Sequence, residues 1–158
     1  PTDSFVAVSL GNAHGCALDT SGSIQCWGSD SAGQVSDLPS GTFASVSAGY
    51  FHSCALDSSG AIQCWGENNW GQSAPPEGVF SELTSGTNHS CATHASGVIT
   101  CWGMDGDGQV TDTPTVSGYT LVSSGAYHNC AVDASGGIAC WGIEDGSSQD
   151  YGQVSDAP

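Results

Sequence analysis

Four pairs of cysteines stand ten positions apart: Cys16 with Cys26, Cys54 with Cys64, Cys91 with Cys101, and Cys130 with Cys140. Each pair is preceded two residues earlier by a histidine: His14, His52, His89 and His128. Thiols beside imidazoles are the raw material of metal sites and nucleophiles. The spacing, however, is not the close Cys-x2-Cys of a zinc site, and no haem-attachment Cys-x-x-Cys-His occurs. No carboxylate sits at a fixed distance from the histidines. Recurring once per copy, they take the reading of structural positions, one ring nitrogen bonded to backbone where a hairpin starts. His94 replaces the aspartate found at that place in the other copies and decorates a turn. No nucleophile–base set, phosphate loop or carboxylate pair emerges, so the chain does not read as an enzyme.

The elements that must carry these residues follow from turn chemistry. His52 to Gly66 reads as two short strands and a tight turn. Pairing them so that Cys54 faces Cys64 leaves a three-residue loop, Ser58-Ser59-Gly60. Its last residue must take a left-handed backbone, which glycine adopts without steric cost. Gly22, Gly97 and Gly136 end the equivalent loops. Eight cysteines allow 105 connectivities; this opposition selects pairing within each hairpin, with four pairs of buried free thiols as the alternative. Disulfides imply an oxidising compartment, hence an extracellular or cell-surface setting.

Composition narrows the function. The 158 residues include 16 Asp and Glu but no Lys or Arg, for a net charge of −16. Nucleic-acid binding and attraction to anionic lipid both need basic residues and are excluded. No apolar run approaches the ~20 residues of a membrane-spanning helix. Glycine is abundant at 23 residues and turn signals are frequent; both favour an all-β fold. The sequence begins at Pro1 rather than Met, which suggests a processed product or a fragment.

The whole chain is periodic. The first cysteines are separated by 38, 37 and 39 residues. Each copy opens with an aromatic (Phe5, Phe43, Phe80, Tyr119), followed by Val8, Val46, Leu83 or Val122. It ends its hairpin on Trp-Gly (Trp27, Trp65, Trp102, Trp141) and continues to a Gly-Gln pair at Gln34, Gln72, Gln109 or Gln153. The repeats fall at approximately 4–41, 42–78, 79–118 and 119–158 of one domain, 1–158. Alternation places His52, Cys54, Leu56, Ile62 and Cys64 on one face and Ala55, Gln63 and Trp65 on the other. The Leu/Ile pair weakens to Thr93/Ile99 in the third copy. One such sheet cannot bury its apolar surface alone, so the units must stack face to face. The tryptophans then pack between units, their N–H groups bonded to backbone.

The pattern Gly-x-x-His-x-Cys-Ala-Leu-Asp-x-Ser-Gly-x-Ile-x-Cys-Trp-Gly, then Gly-Gln, resembles the regulator of chromosome condensation repeat, in a short variant like that of the secreted β-lactamase-inhibitory propeller. The resemblance covers essentially the whole chain. It implies four tandem three-stranded blades, with a fourth strand per blade as the alternative. Such proteins close with about seven blades, so four make an open arc or part of a larger propeller; a four-bladed ring would be sharply curved. The nuclear members promote nucleotide exchange on a small GTPase and bind chromatin. The missing basic residues and the lack of a matching exchange site leave only the scaffold, with its use as a protein-binding surface.

The expectation is therefore a non-enzymatic extracellular repeat protein that associates with other copies of itself, head to tail, into a filament or surface polymer. The alternative is a fragment of a closed propeller gripping an unidentified partner protein, as an inhibitor or adhesin does. A carbohydrate-binding or hydrolytic role is a third reading. Candidate contact residues lie where the copies differ: Trp70 in an unpatterned loop, Phe51 and Tyr127 before their histidines, and Glu144 and Asp145 in the long fourth loop. No cofactor is implied. Calcium would use Asp105 and Asp107, but that loop lacks the downstream glutamate of a calcium loop, and plain turn chemistry is the stronger reading.

Overall fold

The computed structural model describes residues 4–144 and 146–158; Asp145 lies outside the described residues. Twelve strands form four antiparallel sheets of three. Blade 1 holds β1 (Phe5–Leu10), β2 (His14–Asp19) and β3 (Ile24–Gly28), and blade 2 holds β4 (Phe43–Ala48), β5 (His52–Asp57) and β6 (Ile62–Gly66). Blade 3 holds β7 (Phe80–Ser85), β8 (His89–His94) and β9 (Ile99–Gly103), and blade 4 holds β10 (Tyr119–Ser124), β11 (His128–Asp133) and β12 (Ile138–Gly142). No blade has a fourth strand among the described residues, and none is helical.

The hairpin register is the one turn chemistry dictates. Cys54 faces Cys64 and Leu56 faces Ile62, and Gly60 closes the loop at φ +88°. Asp57 caps the turn, its carboxylate accepting the Ser59 amide at 2.8 Å, the Ser59 hydroxyl at 2.6 Å and the Ala61 amide at 3.0 Å. Each hairpin is closed by its own disulfide: Cys16 is bonded to Cys26, Cys54 to Cys64, Cys91 to Cys101, and Cys130 to Cys140. The paired Cα atoms are 4.0–4.1 Å apart, and no cysteine is free, which rules out the alternative of buried thiols. Cys16, Cys54 and Cys91 are fully buried by the blade that follows. Cys130 is only half-buried, because no further blade among the described residues covers the back of blade 4.

The first strand of each blade contains a feature that strict alternation does not supply. Phe43 and Val46 are three positions apart and would point to opposite faces of a regular strand. The register shifts between Phe43 and Ser45, and the same irregularity follows Phe5, Phe80 and Tyr119. This extra residue returns both apolar side chains to one face. There they meet the preceding blade: Phe43, Val46, Ala55 and Trp65 pack on Cys16, Leu18, Ile24 and Cys26.

The core is thus three layers between blades rather than one centre. Phe80, Leu83, Ala92 and Trp102 cover Cys54, Leu56, Ile62 and Cys64, and Val122, Ala131 and Trp141 cover Cys91, Ile99 and Cys101. The small alanines let the sheets approach closely, for Ala55 and Ala92 are fully buried. Thr93 occupies the place of Leu56, and its buried hydroxyl has no partner among the described residues. Packing runs from β1 to β4, β4 to β7 and β7 to β10. The blades form an open arc, with Phe5, Val8 and Leu10 exposed on its first face.

Candidate functional site

Each blade boundary is fastened by a repeated set of hydrogen bonds. The hairpin histidine reaches into the next blade: His14 Nε2 to Ser53 Oγ at 2.8 Å, His52 Nε2 to Ser90 Oγ at 2.9 Å and His89 Nε2 to Asn129 Oδ1 at 2.9 Å. A side chain of the neighbouring repeat, not local backbone, is the partner. In the other direction the tryptophan N–H returns to the previous blade. Trp65, Trp102 and Trp141 donate to the carbonyls of Gln34, Gln72 and Gln109 at 2.9–3.0 Å. Ser9, Ser47 and Thr84 hydroxyls accept the amides of Ala48, Ser85 and Ser124 at 2.9–3.0 Å.

The glutamines have a second task. The side-chain oxygens of Gln34, Gln72 and Gln109 accept the amides of Ala32, Trp70 and Asp107 at 2.8–2.9 Å, folding each loop back under its blade. The repeated Gly-Gln motif was visible in the sequence but its role was not. The signal was its one-to-one recurrence with the tryptophan whose N–H it receives.

Burial dominates the electrostatics of this ladder. His52 is pushed down to about 4 by desolvation first and then by the neighbouring His89 and His14. His89 is also lowered by burial, against an opposing pull from its bond to Asn129. Both rings are therefore neutral at pH 7. Asn129 Oδ1 can only accept, so His89 carries its proton on Nε2. Ser90 donates its own hydroxyl to Ser85 Oγ at 3.1 Å, which leaves its oxygen to accept from His52.

The loop end of the blades carries the variable residues. The loops leaving β6 and β12 join the turns before β5 and β11, since Glu67 N donates to Phe51 O and Ile143 N to Tyr127 O. Phe51 and Trp70 thereby come to one end of blade 2, and Tyr127 and Glu144 to the same end of blade 4. Trp70 is exposed at 58%. Phe51 is half-buried and meets Tyr50 edge to face with centroids 4.5 Å apart. A shallow groove of about 280 Å³ crosses the turns of all four blades, lined by Asn12, Tyr50, Thr87 and Ala126 among others, with no charged residue in its wall.

The acidic loop residues are occupied within the chain. Asp105 Oδ1 accepts the amides of Val110 and Thr111 at 2.8 and 3.0 Å, and Asp107 Oδ2 accepts Gln109 Nε2 at 3.0 Å. Burial pushes the Asp105 carboxyl up, but the Thr111 and Val110 amides and the Thr111 hydroxyl outweigh it and hold it low. Asp30 makes the equivalent bonds to the Val35 and Ser36 amides at 2.8 and 3.0 Å. This is turn capping. Among the described residues no group of three or more His, Cys, Asp or Glu is placed to hold a metal ion.

The front of blade 1 differs from its three counterparts. Phe5, Val8 and Trp27 are exposed at 49%, 64% and 49%, whereas Phe43 and Trp65 are buried and Val46 half-buried. Trp27 N–H has no partner among the described residues, unlike the other three hairpin tryptophans. On the back of blade 4, beside the half-buried Cys130–Cys140 bridge, the His128 ring is lowered by desolvation. That ring has no hydrogen-bond partner among the described residues.

Residues 5–34 and 43–72 match the family described as Regulator of chromosome condensation (RCC1) repeat. No curated protein sequence matches the chain. Among solved structures, the ectodomain of the Physcomitrella patens receptor kinase CR4 is similar at a TM-score of 0.79 and 28% identity, over 90% of this chain and 42% of that one. The ectodomain of the Arabidopsis thaliana receptor kinase ACR4 aligns at 0.74 and 24%, over 90% and 52%. Prp20p of Saccharomyces cerevisiae, described with its binding to Gsp1p and histones, aligns at 0.74 and 18%, over 90% and 48%. Two of the four repeats thus match the RCC1 repeat, the chain shares the β-propeller blade fold of these structures, and it spans about half their length.

Proposed function

We propose that the chain is a non-catalytic protein-interaction module of an extracellular or cell-surface protein, and that its blades dock further blades of the same kind, in the first instance those of a second copy arranged head to tail. One observation carries this reading. The front of blade 1 exposes the apolar side chains that blades 2 to 4 bury, and the back of blade 4 offers the groups against which such a face packs. Trp27 N–H corresponds to the donors of Trp65, Trp102 and Trp141, and the Gln153 carbonyl to their acceptors. The contact joins unlike faces, so it propagates into a filament unless the rotation closes. The four disulfides support an oxidising setting, and two of the similar structures are receptor ectodomains.

A charge of −16 on each copy opposes assembly, and salt at ~0.15 M screens such repulsion beyond ~8 Å. Association therefore strengthens with salt. Sedimentation velocity over a concentration series at low and high salt tests this. The expected result is a rising sedimentation coefficient that Leu10→Glu or Trp27→Ala suppresses. A monomer under every condition overturns self-association.

The second reading is part of a larger propeller that grips a partner protein, favoured by the coverage of only 42–52% of the similar ectodomains. There the front of blade 1 packs on a further repeat of the same polypeptide, and the partner meets the loop end around Trp70, Phe51 and Tyr127. A persistent monomer whose longer form buries Trp27 supports this second reading.

A further inference from the structure

The position directly after the hairpin histidine supplies the side-chain partner of the blade ladder, and blade 1 fills it differently from the rest. Ser53, Ser90 and Asn129 occupy it in blades 2, 3 and 4; each is fully buried and each receives the histidine of the preceding blade. Hydroxyl and amide serve alike because each offers an oxygen to the ring nitrogen; at His52 and His89 the ring N–H donates to it. Asn129 also donates its own amide to the Gln109 carbonyl at 3.1 Å, the acceptor Trp141 uses, so one site on the preceding blade serves both side chains.

In blade 1 this residue is Gly15. A β-carbon there would lie 2.7 Å from Trp27 Cζ2 and 3.0 Å from Leu10 Cδ2. The indole thus rests on the bare Cα of its own blade, whereas Trp65, Trp102 and Trp141 reach across to a glutamine carbonyl. Gly15 both removes the acceptor and gives the Trp27 ring a place to fold back.

We infer that the residue after the hairpin histidine determines which blade docks on which, and that Gly15 makes the front of blade 1 a weak match for His128 of another copy. The second half rests on the self-association reading; the first concerns boundaries inside the chain. A docked second copy would leave His128 Nε2 facing a residue with no side-chain oxygen, and Trp27 must leave Gly15 before it reaches the Gln153 carbonyl.

Two measurements test this separately. In the monomer at low salt, Ser53→Ala leaves His14 Nε2 without its hydrogen-bond partner and lowers the melting temperature by about 3–8 °C, while Ser53→Asn, which reproduces blade 4, restores most of the loss. Equal melting of Ser53→Ala and wild type, or equal loss in both variants, overturns the determinant. In sedimentation equilibrium at high salt, Gly15→Ser tightens self-association about five- to tenfold, and adding His128→Ala removes the gain. Assembly of wild type with no gain in Gly15→Ser overturns the role of Gly15. Monomers of both overturn the self-association reading and leave the Ser53 result to decide the rest.

Discussion

His52 Nε2 lies 2.9 Å from Ser90 Oγ, 38 positions away in the chain and on the far side of a blade boundary. Both residues are fully buried. Protonation at Nδ1, which has no partner among the described residues, leaves this bond in place but puts an unpaired charge in a buried layer. The stacking of two sheets thus depends on the ionisation of one ring.

Stability should therefore fall on mild acidification. His52 has its folded-state value lowered to about 4 from 6.5, so the unfolded chain takes up the proton first. The contribution is complete above about pH 6.5 and is lost progressively between there and about 4. For this one well-buried group the loss is roughly 3 kcal/mol. His89 shifts in the same direction. Asp19, Asp57 and Asp133 are held low mainly by the hydroxyls of Ser21, Ser59 and Ser135, so their contribution is complete above about 3.8 and is lost progressively as pH falls below it. Urea unfolding at pH 7.5, 5.5 and 4.5 reads this slope, which should be shallower in His52→Gln. A flat profile across that range contradicts the neutral ladder.

The tryptophans should divide into two classes. Trp102→Phe removes the N–H that reaches the Gln72 carbonyl at 3.0 Å and should cost about 1 kcal/mol or more, since a buried carbonyl loses a donor. Trp27→Phe, at a half-exposed position without such a bond, should stay within about 0.5 kcal/mol of wild type. Equal costs in denaturant unfolding would show that the front of blade 1 is covered in solution.

Reduction should loosen the hairpins one by one. Each disulfide closes a segment with a sequence separation of 10, worth roughly 2–3 kcal/mol in the chain-entropy account. The double variant Cys54→Ala/Cys64→Ala should be less stable by that amount in denaturant unfolding and show two fewer free thiols after full reduction. The bridge between Cys130 and Cys140, half-buried at the open end of the arc, should be the first that a mild reductant opens. An unchanged midpoint in the double variant would mean that blade packing alone fixes the register.

Gly60 should not tolerate a side chain. Its φ of +88° already disfavours any L-residue, and a β-carbon would stand 2.7 Å from Val79 Cγ1 and 2.9 Å from the Phe80 carbonyl. Gly60→Ala should destabilise by at least about 1 kcal/mol, more if Val79 cannot move. Gly136 has a similar φ of +89°, but a β-carbon there would meet nothing within 4 Å, so Gly136→Ala should cost only the backbone strain. Thermal melting of the two variants separates strain from collision.

The sequence by itself determined everything governed by rules a few residues long. Glycine at the end of a three-residue loop set the hairpin register, and the register brought Cys54 opposite Cys64. The period near 38 residues set the number of blades, and the alternation of Leu56 and Ile62 against Ala55 marked the two faces. What only the tertiary structure decided lies one period away in sequence. The bulge after Phe43 puts that ring on the same face as Val46, against simple alternation. Gln34 and Ser53 become acceptors because stacking lays them beside Trp65 and His14. The exposure of Trp27 and the partial cover of Cys130 likewise depend on which faces meet. Local turn and strand preferences encode how a hairpin closes, but the lateral register of one sheet on the next arises from packing between residues that no short pattern relates.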